Sequence, residues 1–376
     1  MKSFLICLVA VAGCFAQQRP PTIQSPEVET DGRVTFRYFD PAARTVVVNL
    51  EGQAKSIPMQ KDEQGIWSAT TTPLAPELYG YSFEADGMHR LDPMNTVIKP
   101  NLLGLSNMVH VPGTAPMRWE QQDIPHGIVH HHFYRSKVVG DNRDYYVYTP
   151  PGYDPTAAAS YPVLYLLHGY SDDASAWTAV GKANLILDSL IDEGKAKPMI
   201  VVMPLGYGAP AIVQRPSGRR SPFNSESLRE ENLTKFQEAL LDEVVPQVER
   251  AYRVDPNRNS RAVAGLSMGG AESLLTSLNH LGKFAWVGAF SAGGLGSDFA
   301  TAFPHLDASA NDQLHALWIA CGTENRLITA NRDLIAWLKG KGINVTQVET
   351  PGRHTWMVWR RDLIEFAPLL FNVTPR

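Results

Sequence analysis

Cysteine is scarce in this chain, which has only three among its 376 residues. Cys7 and Cys14 lie close to the amino terminus, so Cys321 is the one cysteine of the remaining sequence. A disulfide between cysteines of the mature part is therefore excluded, and stability has to come from packing. The apolar content of 44% is enough for one large core and a smaller one, and the length indicates two domains.

The chain also lacks a strong charge of one sign. Charged residues make up 19% of the sequence, and the formal net charge is −4. No basic field exists that would attract nucleic acid, so nucleic acid is not an expected partner. A long hydrophobic run is missing as well, because the apolar segment 4–13 is too short to span a bilayer. We expect no transmembrane segment.

Residues 1–16 have the pattern of a secretory signal peptide. Met1-Lys2-Ser3 is a short charged segment ahead of the apolar run, and Cys14 and Ala16 are the small residues before a cleavage point. The sequence therefore predicts that the mature protein is secreted or periplasmic. The segment Val11-Ala12-Gly13-Cys14 also resembles a bacterial lipobox, in which Cys14 would carry a lipid anchor.

Residues 20–112 alternate short apolar segments with turn residues, a pattern that predicts a β-sandwich. The predicted strands include residues 34–39, 45–50, 66–70 and 79–84. Residues 113–126 have the proline and polar content of a linker.

Beyond residue 127 the apolar segments become continuous, as strands of a parallel sheet covered on both faces require. The segments are 161–167, 199–203, 261–265, 286–290, 316–320 and 345–348. Helical patterns lie between them, including one that starts at the capping box Thr234 to Gln237 and is expected to bend or end at Pro246. Alternating strands and helices predict an α/β fold.

The stretch Gly265-Leu266-Ser267-Met268-Gly269 has the spacing Gly-x-Ser-x-Gly. A buried-strand pattern precedes it, and apolar residues at helical spacing follow it. A sharp turn between strand and helix lifts a serine hydroxyl clear of the sheet, and glycines let the two elements approach. Ser267 is therefore the predicted nucleophile, and the unpaired N–H of Met268 at the helix start is a predicted oxyanion donor.

A serine hydroxyl needs a base, and in hydrolases of this kind the triad follows the order serine, acid, histidine. His354 lies in a turn directly after the last predicted strand and is the predicted base. Glu324 is the only carboxylate in the turn after strand 316–320, so the residues alone predict it as the acid. The second oxyanion donor is expected after the strand that ends His168-Gly169, which makes it the amide of Tyr170.

We expect no metal and no organic cofactor, because acyl transfer through a serine needs neither. The adjacent histidines His130-His131-His132 lie in a predicted strand. Neighbouring side chains of a strand point to opposite faces, so these three cannot all bind one ion.

Five sequence motifs occur in a fixed order beyond residue 127. They are Tyr145-Tyr146-Val147-Tyr148-Thr149-Pro150-Pro151-Gly152-Tyr153, Tyr165-Leu166-Leu167-His168-Gly169 with Trp177, Gly265-Leu266-Ser267-Met268-Gly269-Gly270, Cys321-Gly322-Thr323 and Gly352-Arg353-His354. Together they resemble carbohydrate esterase family 1, the feruloyl and acetylxylan esterases of the esterase D-like group. The resemblance implies an α/β-hydrolase domain over residues 127–376.

In residue terms the resemblance assigns Ser267 as nucleophile, His354 as base, and the amides of Tyr170 and Met268 as oxyanion donors. Substrate specificity is expected near Trp177, as a substrate-binding residue, and in the loop 206–231.

Residues 20–112 resemble the immunoglobulin-like, family-48 carbohydrate-binding modules that accompany starch- and xylan-acting domains. The resemblance rests on Gly65-Ile66-Trp67, Tyr79-Gly80-Tyr81-Ser82-Phe83 and Leu91-Asp92-Pro93. It implies a sugar-binding role, but a structural role beside the active site agrees with the sequence equally well. The expected fold is an α/β-hydrolase domain preceded by an immunoglobulin-like β-sandwich.

One position departs from the family pattern, which has an aspartate where this chain has Asn325. Either the neighbouring Glu324 has taken the role of the acid by a shift of one residue, or Asn325 orients His354 through its amide, as in papain-like triads.

The expected function is a secreted serine esterase that hydrolyses feruloyl or acetyl esters of plant cell-wall polysaccharide such as xylan, through an acyl-enzyme. Two alternatives remain open. One is a siderophore trilactone esterase, which can also combine a β-sandwich with a hydrolase domain. The other is a carbohydrate-binding protein whose esterase site is degenerate at Asn325.

Overall fold

The computed structural model describes residues 22–215 and 221–372. The predicted signal peptide at 1–16 and the alternative lipid anchor at Cys14 lie outside these ranges. Within them, no helix is both long enough and apolar enough to cross a membrane.

Short strands build the amino-terminal region as two packed antiparallel sheets. The strands are β1 (Glu27–Val28), β2 (Val34–Phe39), β3 (Val46–Leu50), β4 (Ile57–Pro58), β5 (Gln60–Lys61), β6 (Ile66–Thr70), β7 (Glu77–Ala85), β8 (Met88–Arg90), β9 (Ile98–Lys99) and β10 (Ser106–Val111). One sheet has the order β1-β2-β6-β5, and the other has the order β4-β3-β7-β10-β9 with β8 paired to β7. The predicted β-sandwich is confirmed.

The core of the sandwich is rich in aromatic rings. These rings belong to alternate residues of the facing strands, whose side chains point inward. The ring of Phe36 lies 4.7 Å from that of Tyr81 and 6.4 Å from that of Phe83. Trp67 is buried as well. Every aromatic side chain between residues 22 and 112 is buried except Phe39, which is half-buried. The sandwich therefore presents no exposed aromatic ring on which a sugar would stack.

The carboxy-terminal region is a mixed sheet covered by helices. Its strands are β11 (Ile128–Arg135), β12 (Asn142–Thr149), β13 (Val163–Leu167), β14 (Ile200–Pro204), β15 (Arg261–Leu266), β16 (Trp286–Phe290), β17 (Ala316–Gly322) and β18 (Thr346–Thr350). The order is β11-β12-β14-β13-β15-β16-β17-β18. The β11–β12 and β12–β14 pairings are antiparallel, and the others are parallel.

The helices between these strands are α1 (Ala176–Ala179), α2 (Ala183–Asp192), α3 (Glu226–Ala239), α4 (Val245–Ala251), α5 (Met268–Leu278), α6 (Phe299–Ala302), α7 (Ile328–Gly340) and α8 (Trp356–Phe366). Every residue of β13 to β16 is buried, as expected for strands covered on both faces. The carboxyl ends of the parallel strands meet at one edge of the sheet, and the loops there carry Ser267, Asn325 and His354.

The predicted helix start at Thr234 is wrong, because α3 begins at Glu226. The Oγ of Ser225 caps it by accepting a hydrogen bond from the N–H of Leu228. A π-helical turn, Leu240–Val244, separates α3 from α4, and Pro246 lies in the first turn of α4. Helical backbone continues without a break from Glu226 to Ala251, so Pro246 does not end the helix, and its missing N–H coincides with the π-helical turn just before it.

A buried ion pair joins the sandwich to α8. Arg360 is fully buried, and its Nη2 lies 2.8 Å from Oε1 of Glu77 and 2.7 Å from the carbonyl oxygen of Leu78. The guanidinium also lies over the ring of Trp119, at 5.6 Å from the centroid. Trp119 is buried in the hydrolase core. The segment 113–126, interpreted from sequence as a linker, is therefore packed against both regions.

Two further contacts join the regions near the predicted site. Oε1 of Glu51 accepts a hydrogen bond from the N–H of Trp356 at 3.2 Å. Asn101 donates to Oγ of Ser171 at 2.8 Å, in the loop that follows β13. The sandwich thus flanks the edge of the sheet at which the candidate site lies.

Candidate active site

Ser267 occupies the sharp turn between β15 and α5. Its φ of 52° is in the left-handed region, which a non-glycine residue adopts only where the surrounding structure enforces it. A Cβ on Gly265 would lie 2.4 Å from the carbonyl oxygen of Gly269, and one on Gly269 would lie 2.5 Å from that of His168. Only glycine fits at either position, so the Gly-x-Ser-x-Gly spacing is a steric requirement of this turn.

His354 lies in the loop between β18 and α8, with Nε2 at 3.0 Å from Oγ of Ser267. Its ring packs edge-on against Trp359 at a centroid distance of 4.9 Å. Burial, and secondly the guanidinium of Arg326, lower the pKa of His354 to about 4, because both disfavour the imidazolium form. At neutral pH the imidazole is uncharged, as a general base has to be.

The Nδ1 side of His354 faces Asn325 and no carboxylate. Nδ2 of Asn325 lies 3.0 Å from Nδ1, and Asn325 is buried. Glu324 is exposed, and its carboxylate makes no hydrogen bond with a described residue. The prediction of Glu324 as the acid is corrected in favour of the alternative, because only the side chain of Asn325 is directed at the imidazole.

The orientation of the Asn325 amide follows from its second contact. Oδ1 accepts a hydrogen bond from the N–H of Leu327 at 2.9 Å, so the NH₂ group faces His354. An amide NH₂ only donates, so we infer that Nδ1 accepts and that the single ring proton of neutral His354 lies on Nε2. In this tautomer Nε2 donates to Ser267 and has no free lone pair to receive the serine proton. The resting position of the proton therefore opposes the role of His354 as base.

Turning the Asn325 amide over would give the productive tautomer, with the ring proton of His354 on Nδ1, but it would lose a hydrogen bond. Oδ1 would then accept from Nδ1–H of His354, but NH₂ would face the N–H of Leu327, leaving two donors opposed. Leaving a buried donor unpaired costs about 1–3 kcal/mol. The productive arrangement is thus disfavoured by roughly 5- to 150-fold.

The predicted oxyanion donors, Tyr170 and Met268, lie beside the nucleophile. Met268 is the first residue of α5, so its N–H has no partner within the helix. Tyr170 follows Gly169, at which a Cβ would lie only 3.3 Å from Cβ of Ser267. The loop after β13 therefore passes directly against Ser267, and both amides stay the predicted donors.

His168 holds the same loop in place. It is buried, and its Nε2 accepts a hydrogen bond from the N–H of Gly206 at 2.8 Å. Desolvation lowers its pKa to about 4, so it is neutral at pH 7. These contacts indicate a structural role for His168, which holds the loop and takes no part in proton transfer.

Trp177 does not reach the site, and its prediction as a substrate-binding residue is wrong. It is fully buried, and its Nε1 donates to the carbonyl oxygen of Leu167 at 2.9 Å. Its ring lies 5.1 Å from that of Trp356 and 6.2 Å from that of Phe290. The indole supports the core beneath the loop after β13, so no face remains for a substrate.

A cleft of about 540 Å³ opens on the His354 side, between the two regions of the chain. Its hydrolase wall contains Glu324, Arg326, Arg353 and Thr355, and its sandwich wall includes Asn49, Glu51, Gln53, Gly80 and Lys99. The sandwich residues were not predicted, because they lie far from Ser267 in the sequence and belong to no motif.

A second, narrow gap lies beside Ser267 and shares no lining residue with the cleft. Ile212, Phe223, Met268 and Gly293 contribute to its lining. A Cβ on Gly293 would lie 3.5 Å from Oγ of Ser267, which places the gap beside the nucleophile. Its volume of about 10 Å³ has room for about one water molecule.

The adjacent histidines of β11 have separate partners. His130 lies 3.2 Å from the hydroxyl of Thr149, His131 lies 2.7 Å from Oδ2 of Asp144, and Nε2 of His132 lies close to a tyrosine hydroxyl. In the described ranges, no group of three or more His, Cys, Asp or Glu side chains is arranged to hold a metal ion.

Comparison with known proteins agrees with this architecture. Residues 136–370 match the family described as "Putative esterase", and residues 24–100 match "Carbohydrate-binding module 48 (Isoamylase N-terminal domain)". An endo-1,4-beta-xylanase/feruloyl esterase of Xylanibacter ruminicola is 29% identical over 94% of this chain and 46% of its own length. An acetyl esterase of Caldicellulosiruptor saccharolyticus is 24% identical over 53% of this chain and 79% of its own length. The chain thus spans about half the length of the xylanase/feruloyl esterase.

Solved structures show the same fold. A CE1 ferulic acid esterase from Anaeromyces mucronatus has a TM-score of 0.57 and 23% identity, over 68% of this chain and 96% of its own. An enterobactin esterase from Shigella flexneri has a TM-score of 0.66 and 18% identity, over 90% and 93%. The predicted α/β-hydrolase domain preceded by a β-sandwich is confirmed. Because the esterase match covers more than half of the sequence, the chain belongs to the putative esterase family.

Proposed function

We propose that this protein is a carboxylic ester hydrolase that removes acetyl or feruloyl groups from plant cell-wall polysaccharide such as xylan. The observation that carries the proposal is the 3.0 Å contact between Oγ of Ser267 and Nε2 of His354, on a strained turn between strand and helix. The names of the two curated relatives, a xylanase/feruloyl esterase and an acetyl esterase, agree with this class. Export belongs to the same proposal, because a polymeric substrate is too large to import.

The reaction has two steps. Once the Asn325 amide has turned over and the ring proton of His354 lies on Nδ1, Oγ of Ser267 attacks the ester carbonyl carbon and its proton passes to Nε2. The amides of Tyr170 and Met268 stabilise the oxyanion. The imidazolium returns the proton to the departing sugar oxygen, which leaves an acyl-enzyme. Water, deprotonated by His354, then releases the acid and restores Ser267.

The direction of proton transfer also indicates on which side of Ser267 the sugar and the acyl group of the substrate lie. The departing sugar oxygen takes its proton from Nε2 of His354, so the sugar lies on the side of the wide cleft. The acyl group then lies on the opposite side of Ser267, towards Phe223.

The narrow acyl side favours acetyl over feruloyl. The ring of Phe223 packs on that of Tyr170 at a centroid distance of 4.3 Å, and Arg229 donates to the carbonyl oxygen of Phe223 at 2.9 Å. An acetyl group needs little space, whereas a feruloyl ring requires Phe223 to move. Phe223→Ala should therefore raise the ratio of methyl ferulate to acetyl ester turnover, and Phe133→Ala, at an exposed residue of β11, should leave the ratio unchanged.

A siderophore trilactone esterase is the second candidate. The enterobactin esterase structure matches 90% of the chain and so includes the sandwich, whereas the ferulic acid esterase structure matches 68%. At these identities the likeness concerns the fold, so substrate tests have to separate the candidates.

Three substrates decide between the candidates: acetylated xylan, methyl ferulate and a tricatecholate trilactone. We expect acetate release that is lost in Ser267→Ala and kept in Ser309→Ala, at an exposed serine. A fluorophosphonate probe should label the wild type and not Ser267→Ala. Turnover of the trilactone alone would support the second candidate. Absence of both labelling and turnover would contradict an esterase and leave a carbohydrate-binding protein.

A further inference from the structure

We propose that the cleft between the sandwich and the hydrolase binds a carboxylate on the sugar side of the ester, as in an oligosaccharide that carries a uronic acid. The inference rests on the proposed function, because it uses the leaving-group side that proton transfer from His354 assigns. It goes beyond that function by naming the chemical group that the sandwich and the hydrolase recognise together.

The dimensions of the cleft suit such a ligand. Its volume of about 540 Å³ lies within the range of roughly 300–1,000 Å³ that small-molecule sites occupy. His354 lies in its wall, so a sugar held there lies against the general base of the site. Most of the residues that line it have polar or charged side chains, and the ring of its one tyrosine, Tyr81, is buried, which favours recognition through hydrogen bonds and charge over stacking.

Two free cations point to an anionic ligand. Arg326 and Arg353 lie in the turns that carry Asn325 and His354, and both line the cleft. Neither guanidinium makes a hydrogen bond or an ion pair with a described residue. A guanidinium offers paired N–H donors that match the two oxygens of a carboxylate.

The other charged residues of the cleft do not cancel the positive charge of Arg326 and Arg353. On the sandwich wall, Nζ of Lys99 lies 3.3 Å from Oε2 of Glu51, so these two charges compensate each other. Glu324 is the one further acidic residue of the lining, against the two arginines. The cleft therefore carries a net positive charge, although the whole chain has a formal net charge of −4.

Binding to the inactive Ser267→Ala protein tests the proposal without hydrolysis. Calorimetry compares a xylo-oligosaccharide that carries one glucuronic acid with the same oligosaccharide without it. We expect the acidic ligand to bind about tenfold more tightly, as for hydrogen bonds to a charged group. The preference should weaken as salt is added.

Variants then locate the preference. Adding Arg326→Gln and Arg353→Gln together should abolish it, whereas adding Arg250→Gln, at an exposed arginine of α4 outside the cleft, should leave it unchanged. Glu324→Gln should strengthen binding of the acidic ligand, because it removes a repulsive charge.

Equal affinity for the two oligosaccharides contradicts the proposal, as does a preference that survives the double substitution. The outcome is independent of the proposed function. A protein that hydrolyses neutral esters but shows no preference loses only this inference. A protein that prefers the acidic ligand but hydrolyses no ester keeps the binding site and loses the esterase.

Discussion

The two halves of the candidate site are built in different ways. The nucleophile half lies wholly within the hydrolase, where the strained turn at Ser267 is packed between Gly269 and the loop after β13. The base half lies in two loops at the edge of the sheet, and α8, which follows His354, is held by the buried pair of Arg360 and Glu77 from the sandwich.

The comparison shows where the site departs from an efficient esterase. Steric requirements fix the nucleophile half, and its distances are those of a working serine hydrolase. The base half keeps the distances as well, but the orientation of the Asn325 amide favours the tautomer of His354 whose proton lies on Nε2, the wrong nitrogen for a base. We therefore expect a low kcat, and its cause is one hydrogen-bond donor, the NH₂ group of Asn325, because the distances between the catalytic atoms are suitable.

Converting the amide to a carboxylate should have the largest effect. In serine proteases the reverse exchange lowers kcat by about 10⁴-fold, so Asn325→Asp should raise kcat by roughly 10²- to 10⁴-fold. Steady-state kinetics on p-nitrophenyl acetate measure the change. Asn142→Asp, at an exposed residue of β12, is the control and should behave as wild type. A rate for Asn325→Asp at or below wild type would remove the amide as the cause.

Removing the buried ion pair between Glu77 and Arg360, which holds α8 in the base half, should lower the stability of the protein. Glu77→Gln leaves the buried Arg360 without its counter-charge, which should lower the free energy of unfolding by about 3–5 kcal/mol. Urea unfolding at pH 7, followed by tryptophan fluorescence, measures the loss. Glu29→Gln, which removes the half-buried, solvent-accessible pair with Arg33, should cost about 1 kcal/mol or less. Equal losses of unfolding free energy in the two variants would show that the pair with Glu77 does not stabilise α8.

The pH profile should sharpen the comparison. Only neutral His354 can act as a base, and its pKa is lowered to about 4, so wild-type activity should persist to about that pH and fall below it. In Asn325→Asp the new carboxylate favours the imidazolium and raises the pKa, so the acid limb of kcat/KM should move to higher pH. An unchanged acid limb in this variant would mean that the carboxylate does not reach His354.

The smallest effect is expected at Glu324. Its side chain is exposed and makes no hydrogen bond with His354, so Glu324→Gln should change kcat on a neutral ester by less than about twofold, as for a surface charge. A fall of 100-fold or so, the size expected for a triad acid, would restore Glu324 to that role.

The sequence was informative where function depends on short local patterns. The parallel strands, the turn at Ser267 and the position of His354 follow from apolar segments, glycine spacing and chain order. The start of α3 did not follow from the sequence, because Ser225 caps the helix upstream of the predicted start. The burial of Trp177 did not follow either, because it depends on packing against Trp356, which is distant in the chain. Sequence left the choice between Glu324 and Asn325 open, since it depends on the direction in which one turn points two neighbouring side chains.

The sandwich wall of the cleft was equally inaccessible to sequence reasoning. Glu51 and Lys99 reach the site through the contact of two regions that are far apart in the chain. No local pattern marks such residues, and only the packing of the sandwich on α8 brings them there.

Nitrogen-15 NMR of the His354 ring at neutral pH is the most direct test of the central claim. Comparison with the spectrum of His354→Gln assigns its signals among those of the 11 histidines. We expect a protonated Nε2 and an unprotonated Nδ1 in the wild type, and the opposite tautomer in Asn325→Asp. A protonated Nδ1 in the wild type would contradict the account, because Asn325 would then accept from the imidazole and support it as a base.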